Sequence, residues 1–353
     1  MKHSRSLPPP AARPVQRAVL TLGVLALMLA ACASAPDPTS QSTTSTSGTA
    51  SSPDAAVAPA LDAGAEPVDA TMTTPDGRER SYRVYVPTSL PERRPVPLLV
   101  ALHGGGGSGS QFEANSGFDE LAEANQFIVV YPDGIEIGGA TPLARGHVWN
   151  GGRCCGPAAA TQVDDVGFLA ALVDEVSAQY DIDSARVFAA GHSNGAIMAY
   201  RLACERSETI VAIGVQAGSL EVDDCDPSRP VSLLHIHGTA DENLPIDGGR
   251  GTRGISATDF SAPRDAIMTF VRADGCSDSS TVATAPDNAD VGIETWASCR
   301  AGTAVEFVTV EGASHAWMGH ESTVVGQGVS GVPYPDFDSS FAIWKFLAAH
   351  PRG

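Results

Sequence analysis

Apolar and polar positions change their spacing along this chain in a way that separates strands from helices. Val96-Pro-Leu-Leu-Val-Ala-Leu102, the run from Val187 into Gly191, Val231-Ser-Leu-Leu-His-Ile-His237 and Ala304-Val-Glu-Phe-Val-Thr-Val310 are short and apolar. Runs of this kind fit strands buried on both faces. Between them, Val166, Leu169, Val173, Val176 and Tyr180 recur at helical spacing behind Asp164 and Asp165. That predicts a helix with an N-cap aspartate and a first-turn acid. Phe341 to His350 predicts a last helix that closes the sheet, and Ala70 to Tyr85 a hairpin turning at Asp76-Gly77. Strands and helices therefore alternate from Pro97 to Ala348. The expected fold is α/β: a mostly parallel central sheet with helices on both faces, in a single domain.

In such a sheet the strand ends along one edge are where ligand chemistry collects, and four predicted strands end in suitable residues. Val187-Phe-Ala-Ala-Gly191-His-Ser193-Asn-Gly195 passes from strand through Gly-x-Ser-x-Gly into a small-residue helix, the form of a nucleophile elbow. Gly191 and Gly195 lack a Cβ, so strand, turn and helix can approach closely. The amide of Asn194, at the helix N-terminus, can then hold an oxyanion. A serine hydroxyl is a weak nucleophile near neutral pH and needs a base oriented by a carboxylate. Asp241 follows the strand ending at His237, and His315 follows the strand ending at Val310. Serine, acid, histidine is the chain order of an α/β-hydrolase. Asp247, in the same loop but beyond Pro245, is the fallback acid. His103-Gly-Gly-Gly-Gly107 is the type of loop that supplies a second oxyanion amide. A phosphate-binding loop is excluded, because Ser108-Gly109-Ser110 stands where Gly-Lys-Ser/Thr is required.

Leu102-His-Gly-Gly-Gly-Gly-Ser108, Val129-Val-Tyr-Pro-Asp-Gly134, Cys154-Cys-Gly-Pro157, Asp164-Asp-Val-Gly-Phe168, Gly191-His-Ser-Asn-Gly-Ala196, His237-Gly-Thr-Ala-Asp241 and Gly312-Ala-Ser-His-Ala-Trp317 occur together. As a set they resemble the secreted polyhydroxybutyrate depolymerase and feruloyl esterase group of α/β-hydrolases, across residues 68 to 350. The resemblance implies Ser193 as nucleophile, Asp241 as acid, His315 as base, and the amides of Gly105 and Asn194 as oxyanion hole. It implies no metal and no organic cofactor. His103, Trp149, His192 and Trp317 are expected at the substrate pocket, where aromatic faces suit feruloyl rings and polyester chains; packing is the alternative for each tryptophan. The expected substrate is an oligomeric or polymeric ester of the polyhydroxybutyrate type, with a feruloyl or acetyl-xylan ester as the alternative. A serine peptidase and a non-catalytic surface lipoprotein are the readings from other classes. His235 and His237 alternate on one strand face, but no third ligand stands at metal-site spacing. Hydrogen bonds within or beside the sheet are therefore expected for both.

The N-terminus changes the picture of where this domain works. Lys2, Arg5, Arg13 and Arg17 flank or precede the apolar run Ala18 to Ala31, which is too short for an ordinary span and fits a signal peptide. Leu29-Ala30-Ala31-Cys32 is similar to a bacterial lipobox, which implies cleavage before Cys32, a lipid on its sulfur and an envelope-anchored protein. Ordinary secretion, with cleavage after Ala33 or Ala35, is the alternative. Residues 32–67 are almost entirely Ser, Thr, Ala, Pro, Gly and Asp; they offer too little apolar side chain to offset ordering and should form a tether. The expected domains are thus 1–31, 32–67 and 68–353. Seven cysteines are present. With Cys32 lipidated an even set remains, which in an exported protein suggests disulfides. Cys276–Cys299 and Cys204–Cys225 are the expected pairs, leaving Cys154 and Cys155 as a vicinal bond or two thiols. The formal charge of −19 repels nucleic acid and favours neutral or weakly charged substrates. No oligomeric state is indicated.

Overall fold

Strand β3 (Val96–Leu102) is buried along its whole length, and its residues divide cleanly between two layers. Leu98, Val100 and Leu102 face one hydrophobic cluster, while Leu99 and Ala101 face another. A strand apolar on both faces needs helices on both faces, and the chain supplies them. The computed structural model describes residues 64–91, 94–139 and 145–353. The expected signal peptide, Cys32 and nearly all of the tether lie outside the described residues.

The other strands are β1 (Gly64–Thr73), β2 (Glu79–Val86), β4 (Ile128–Pro132), β5 (Ile135–Glu136), β6 (His147–Val148), β7 (Ile182–His192), β8 (Ala212–Gln216), β9 (Ser232–Gly238), β10 (Thr281–Ala285), β11 (Asn288–Trp296) and β12 (Val305–Val310). The helices are α1 (Gly109–Ser116), α2 (Phe118–Asn125), α3 (Gly156–Ala160), α4 (Asp165–Gln179), α5 (Asn194–Glu205), α6 (Pro263–Ala273), α7 (Val324–Ser330) and α8 (Ser339–Ala349). Ten strands form one sheet in the order β1-β2-β4-β3-β7-β8-β9-β12-β11-β10. The run from β4 to β12 is parallel, and antiparallel strands finish both edges. Helices α4, α5 and α6 contribute to the layer on one face; α1, α2 and α8 cover the other.

This is the expected α/β architecture, and it fixes where a site can form. The chain runs from β3 outward to β4 and then returns to β7 on the other side of β3. Winding therefore reverses between β3 and β7, and the crevice outside the carboxyl ends of those strands is the natural ligand position. The loops after β3, β7, β9 and β12 all leave from that edge. Two features depart from the expectations. β1 begins at Gly64, inside the stretch read as tether, with an irregularity in register before Val68; a polar composition does not prevent an edge strand from pairing. The β10–β11 hairpin carried no recognised signal, since β10 is almost wholly exposed and burial imposes no pattern on it. At the far end, the Arg352 amide donates to Ala185 O, and its guanidinium donates to the carbonyls of Ser207, Glu208 and Ile210.

Candidate active site

The turn between β7 and α5 is as tight as its sequence requires. A Cβ on Gly191 would come within 2.4 Å of the Gly195 carbonyl group, and one on Gly195 within 2.1 Å of Leu102 O. Only glycine permits these contacts. Ser193 itself stands at φ 55° and ψ −119°, a sparsely populated conformation for a residue with a side chain, costing about 1–3 kcal/mol. Its amide donates to Gln216 O at 3.0 Å, which ties the strained residue to the adjacent strand end.

Three distant residues meet there. His315 Nε2 lies 2.8 Å from Ser193 Oγ, and His315 Nδ1 lies 2.7 Å from Asp241 Oδ2. The other carboxylate oxygen, Oδ1, accepts the amides of Asn243 and Leu244, each at 2.8 Å. Burial pushes the Asp241 carboxyl up, but the His315 imidazole and these donors outweigh it and hold the group below the usual carboxylate range. Asp247 is exposed and takes no part. His192 Nε2–H donates to His315 O at 2.7 Å, and burial drives its imidazole down to about 3, so it stays neutral. Gln216, fully buried at the end of β8, donates to Ala316 O at 2.8 Å and accepts from Ser339 Oγ at 2.6 Å. Sequence reasoning missed it; its signal was a lone amide closing an apolar run.

The glycine loop lies against the serine turn. A Cβ on Gly104 would sit 3.4 Å from Ser193 Cβ, and one on Gly105 would sit 3.5 Å from Asn194 Cβ. Among the described residues, neither the Gly105 amide nor the Asn194 amide donates to a protein acceptor; Asn194 opens α5, where amides have no intrahelical partner. The Asn194 side chain accepts from the Trp149 amide at 2.7 Å and donates to Trp149 O at 3.1 Å.

His103 does not line the substrate pocket as expected of it, and Trp149 takes its packing alternative. Both are fully buried and lie beneath the glycine loop instead of lining the pocket. His103 Nδ1–H donates to Gly104 O at 2.8 Å, and Nε2 accepts the Gly134 amide at 3.0 Å; burial lowers this imidazole to about 4. Trp149 Nε1–H donates to His103 O at 3.0 Å. Asp164 caps α4 through the Gly167 amide at 2.8 Å. Asp165 does more than the first-turn acid expected of it. It accepts from Arg80 and from the Asn150 amide, both at 2.7 Å, in a fully buried ion pair.

A cavity of about 870 Å³ opens over these groups, within the range of small-molecule sites. His192 and Trp317 line it together with Ser193, His315, Ile197 and Phe260. Cys155 also reaches it, bonded to Cys154 as the vicinal pair; Cys204–Cys225 and Cys276–Cys299 form as expected.

The family described as Esterase PHB depolymerase matches residues 80–230. NocK of Nocardia uniformis subsp. tsuyamanensis, whose name is that of an esterase, is 31% identical over 71% of this chain and 75% of its own length. The chain belongs to this esterase family. Feruloyl esterase C of Emericella nidulans is 30% identical over 56% of the chain and 72% of its own length. Feruloyl esterase B of Piromyces equi is 29% identical over 67% of the chain, which spans only 42% of that protein. The esterase is a carboxylic ester hydrolase on the α/β-hydrolase fold, and its three disulfides belong to an oxidising compartment. Among the described residues, no helix is long and apolar enough to cross a membrane.

Proposed function

We propose that this esterase hydrolyses its substrate by two acyl transfers at Ser193. In the first, Ser193 Oγ forms a bond to the ester carbonyl carbon while its proton passes to His315 Nε2. Asp241 orients the imidazole and stabilises the imidazolium. The amides of Gly105 and Asn194 receive the carbonyl oxygen as it becomes negative, each worth about 10²–10³-fold. The ester C–O bond then breaks and the alcohol leaves with the proton from His315. Water repeats the sequence on the acyl-enzyme, releasing the acid and restoring Ser193. The observation that supports this reading is the continuous line Asp241–His315–Ser193, with both hydrogen bonds at or below 2.8 Å. A fluorophosphonate probe should label the wild type and leave Ser193→Ala unlabelled; equal labelling of both would remove Ser193 from the role.

For the substrate, the family's description and the cavity favour an oligoester of the polyhydroxybutyrate type. The feruloyl alternative draws on two relatives' names and on the aromatic lining from Phe260 and Trp317. Rates on 3-hydroxybutyrate oligomers, methyl ferulate and acetylated xylan separate them; the oligomers are expected to give the highest kcat/KM, and a higher value on methyl ferulate overturns that choice. The anchored location is a further part of the reading. Cys32→Ser should move the esterase from the membrane fraction to the soluble one.

A further inference from the structure

β9 carries two histidines in the layer where Leu233 packs against α5. Tyr200, from α5, and His235 and His237 are all fully buried. Tyr200 Oη lies 2.7 Å from His235 Nδ1, His235 Nε2 lies 2.9 Å from His237 Nδ1, and His237 Nε2 lies 2.9 Å from Leu244 O. The two imidazole planes lie 9° apart with ring centroids separated by 5.2 Å, the edge-to-edge arrangement that an N–H···N bond between rings requires.

The far end of this line decides every proton in it. A carbonyl oxygen only accepts, so His237 carries its proton on Nε2 and accepts at Nδ1. His235 must then donate from Nε2 and accept at Nδ1, and the Tyr200 hydroxyl must donate. Burial favours the neutral form of all three groups, pushing both imidazoles down and the phenol up. Polar groups in an apolar layer are costly unless every partner is present, and here each link is filled. The line ends on the loop of the acid. Leu244, whose carbonyl accepts the His237 Nε2–H, donates its own amide to Asp241 Oδ1. His237 Nε2 also lies 3.5 Å from Asp241 Oδ2, the oxygen that faces His315.

We infer that His237 is a positioning residue for ester hydrolysis. Backed by His235 and Tyr200, it clamps the Asp241 loop and keeps one N–H beside Oδ2, so the carboxylate meets His315 in a single orientation. The inference rests on Asp241 serving as the acid of the reaction. His237 reaches no substrate and acts only through the carboxylate.

The test compares His237→Leu with His237→Gln, each in the wild type and in Asp241→Asn, using the full chain and one soluble ester. His237→Leu should lower kcat by about 10–100-fold, the scale on which orienting partners act, with KM changed by less than about twofold. His237→Gln, which keeps a donor, should recover to within about threefold of the wild type. In Asp241→Asn, His237→Leu should add less than about twofold, because coupled groups are not additive. Equal losses for Leu and Gln, an undiminished effect in Asp241→Asn, or an unchanged kcat in His237→Leu would each overturn the inference. Should the Leu variant not fold, ¹⁵N-histidine NMR of the wild type decides. Both His235 and His237 should be neutral and protonated at Nε2 near neutral pH; an Nδ1 proton on His237, or a charged ring at either position, overturns it. Failure of the esterase reading would show elsewhere, as turnover that survives Ser193→Ala.

Discussion

The two walls beside Ser193 are held by different chemistry. On the wall of the proposed base, neutral side chains grip backbone carbonyls: His192 holds His315 O, Gln216 holds Ala316 O, and His237 holds Leu244 O. On the wall of the proposed oxyanion hole, Trp149 and Asn194 secure the glycine loop, and a buried ion pair between Arg80 and Asp165 braces the segment behind them. In the proposed reaction the imidazole of His315 must pass a proton along one line, and the loops that carry it and Asp241 are pinned at several carbonyls. Amides need only converge on a point, so support from beneath the loop is enough. Aim and convergence are thus separate demands, and substitutions can test each wall alone.

The largest effect belongs to the residue both walls share. Ser193→Ala should lower kcat by about 10⁴-fold or more while Tm stays near that of the wild type. Ser193→Gly should be equally inactive yet more stable, by about 1 kcal/mol in urea unfolding, because glycine relieves the positive φ. Gly195→Ala should strike both walls together, since its Cβ would meet Leu102 O and His103 O; a loss of about 3 kcal/mol is expected. The oxyanion wall is tested by Asn194→Ala, which keeps the amide and removes both bonds to Trp149. We expect kcat to fall by about tenfold with KM nearly constant; wild-type turnover would mean the clamp is unnecessary for convergence. The smallest effect should come from Asp119, which touches neither wall. Burial raises its carboxyl to about 7, partly offset by the Tyr131 hydroxyl. Between about pH 4 and 7 the folded chain therefore holds a proton that the unfolded chain releases, and this contribution to stability is lost as pH rises through 7. Asp119→Asn should raise Tm at about pH 8, with the gain shrinking toward pH 5.

What the sequence revealed follows the range of the forces involved. β3 was legible to the residue because both its faces are apolar and its ends are marked. Ser193, Asp241 and His315 were legible as candidates because each follows a recognisable strand in a known order. The facing of loops was not. His103 and Trp149 have the residue types of a pocket, but whether a loop presents a ring to the cavity or beneath it depends on partners such as Gly134 and Asn194. Gln216 and the Arg80–Asp165 pair were hidden for the same reason: their partners lie far away in the chain. For Cys154 and Cys155 the sequence admits a bond or two thiols, because adjacency alone does not decide whether two thiols join.

The two ends of the described chain would respond differently to mechanical load. Residue 64 belongs to an edge strand with a single neighbour, so a pull there can peel β1 from β2 while the strands that carry Ser193, Asp241 and His315 remain paired. A pull at residue 353 is resisted by Arg352, which is bonded to Ala185 near the start of β7 and to the segment just after α5, and so loads the two elements that flank the serine turn. A molecule handled from its N-terminal side can thus yield at its rim and keep working; one handled from the other side transmits strain to its centre.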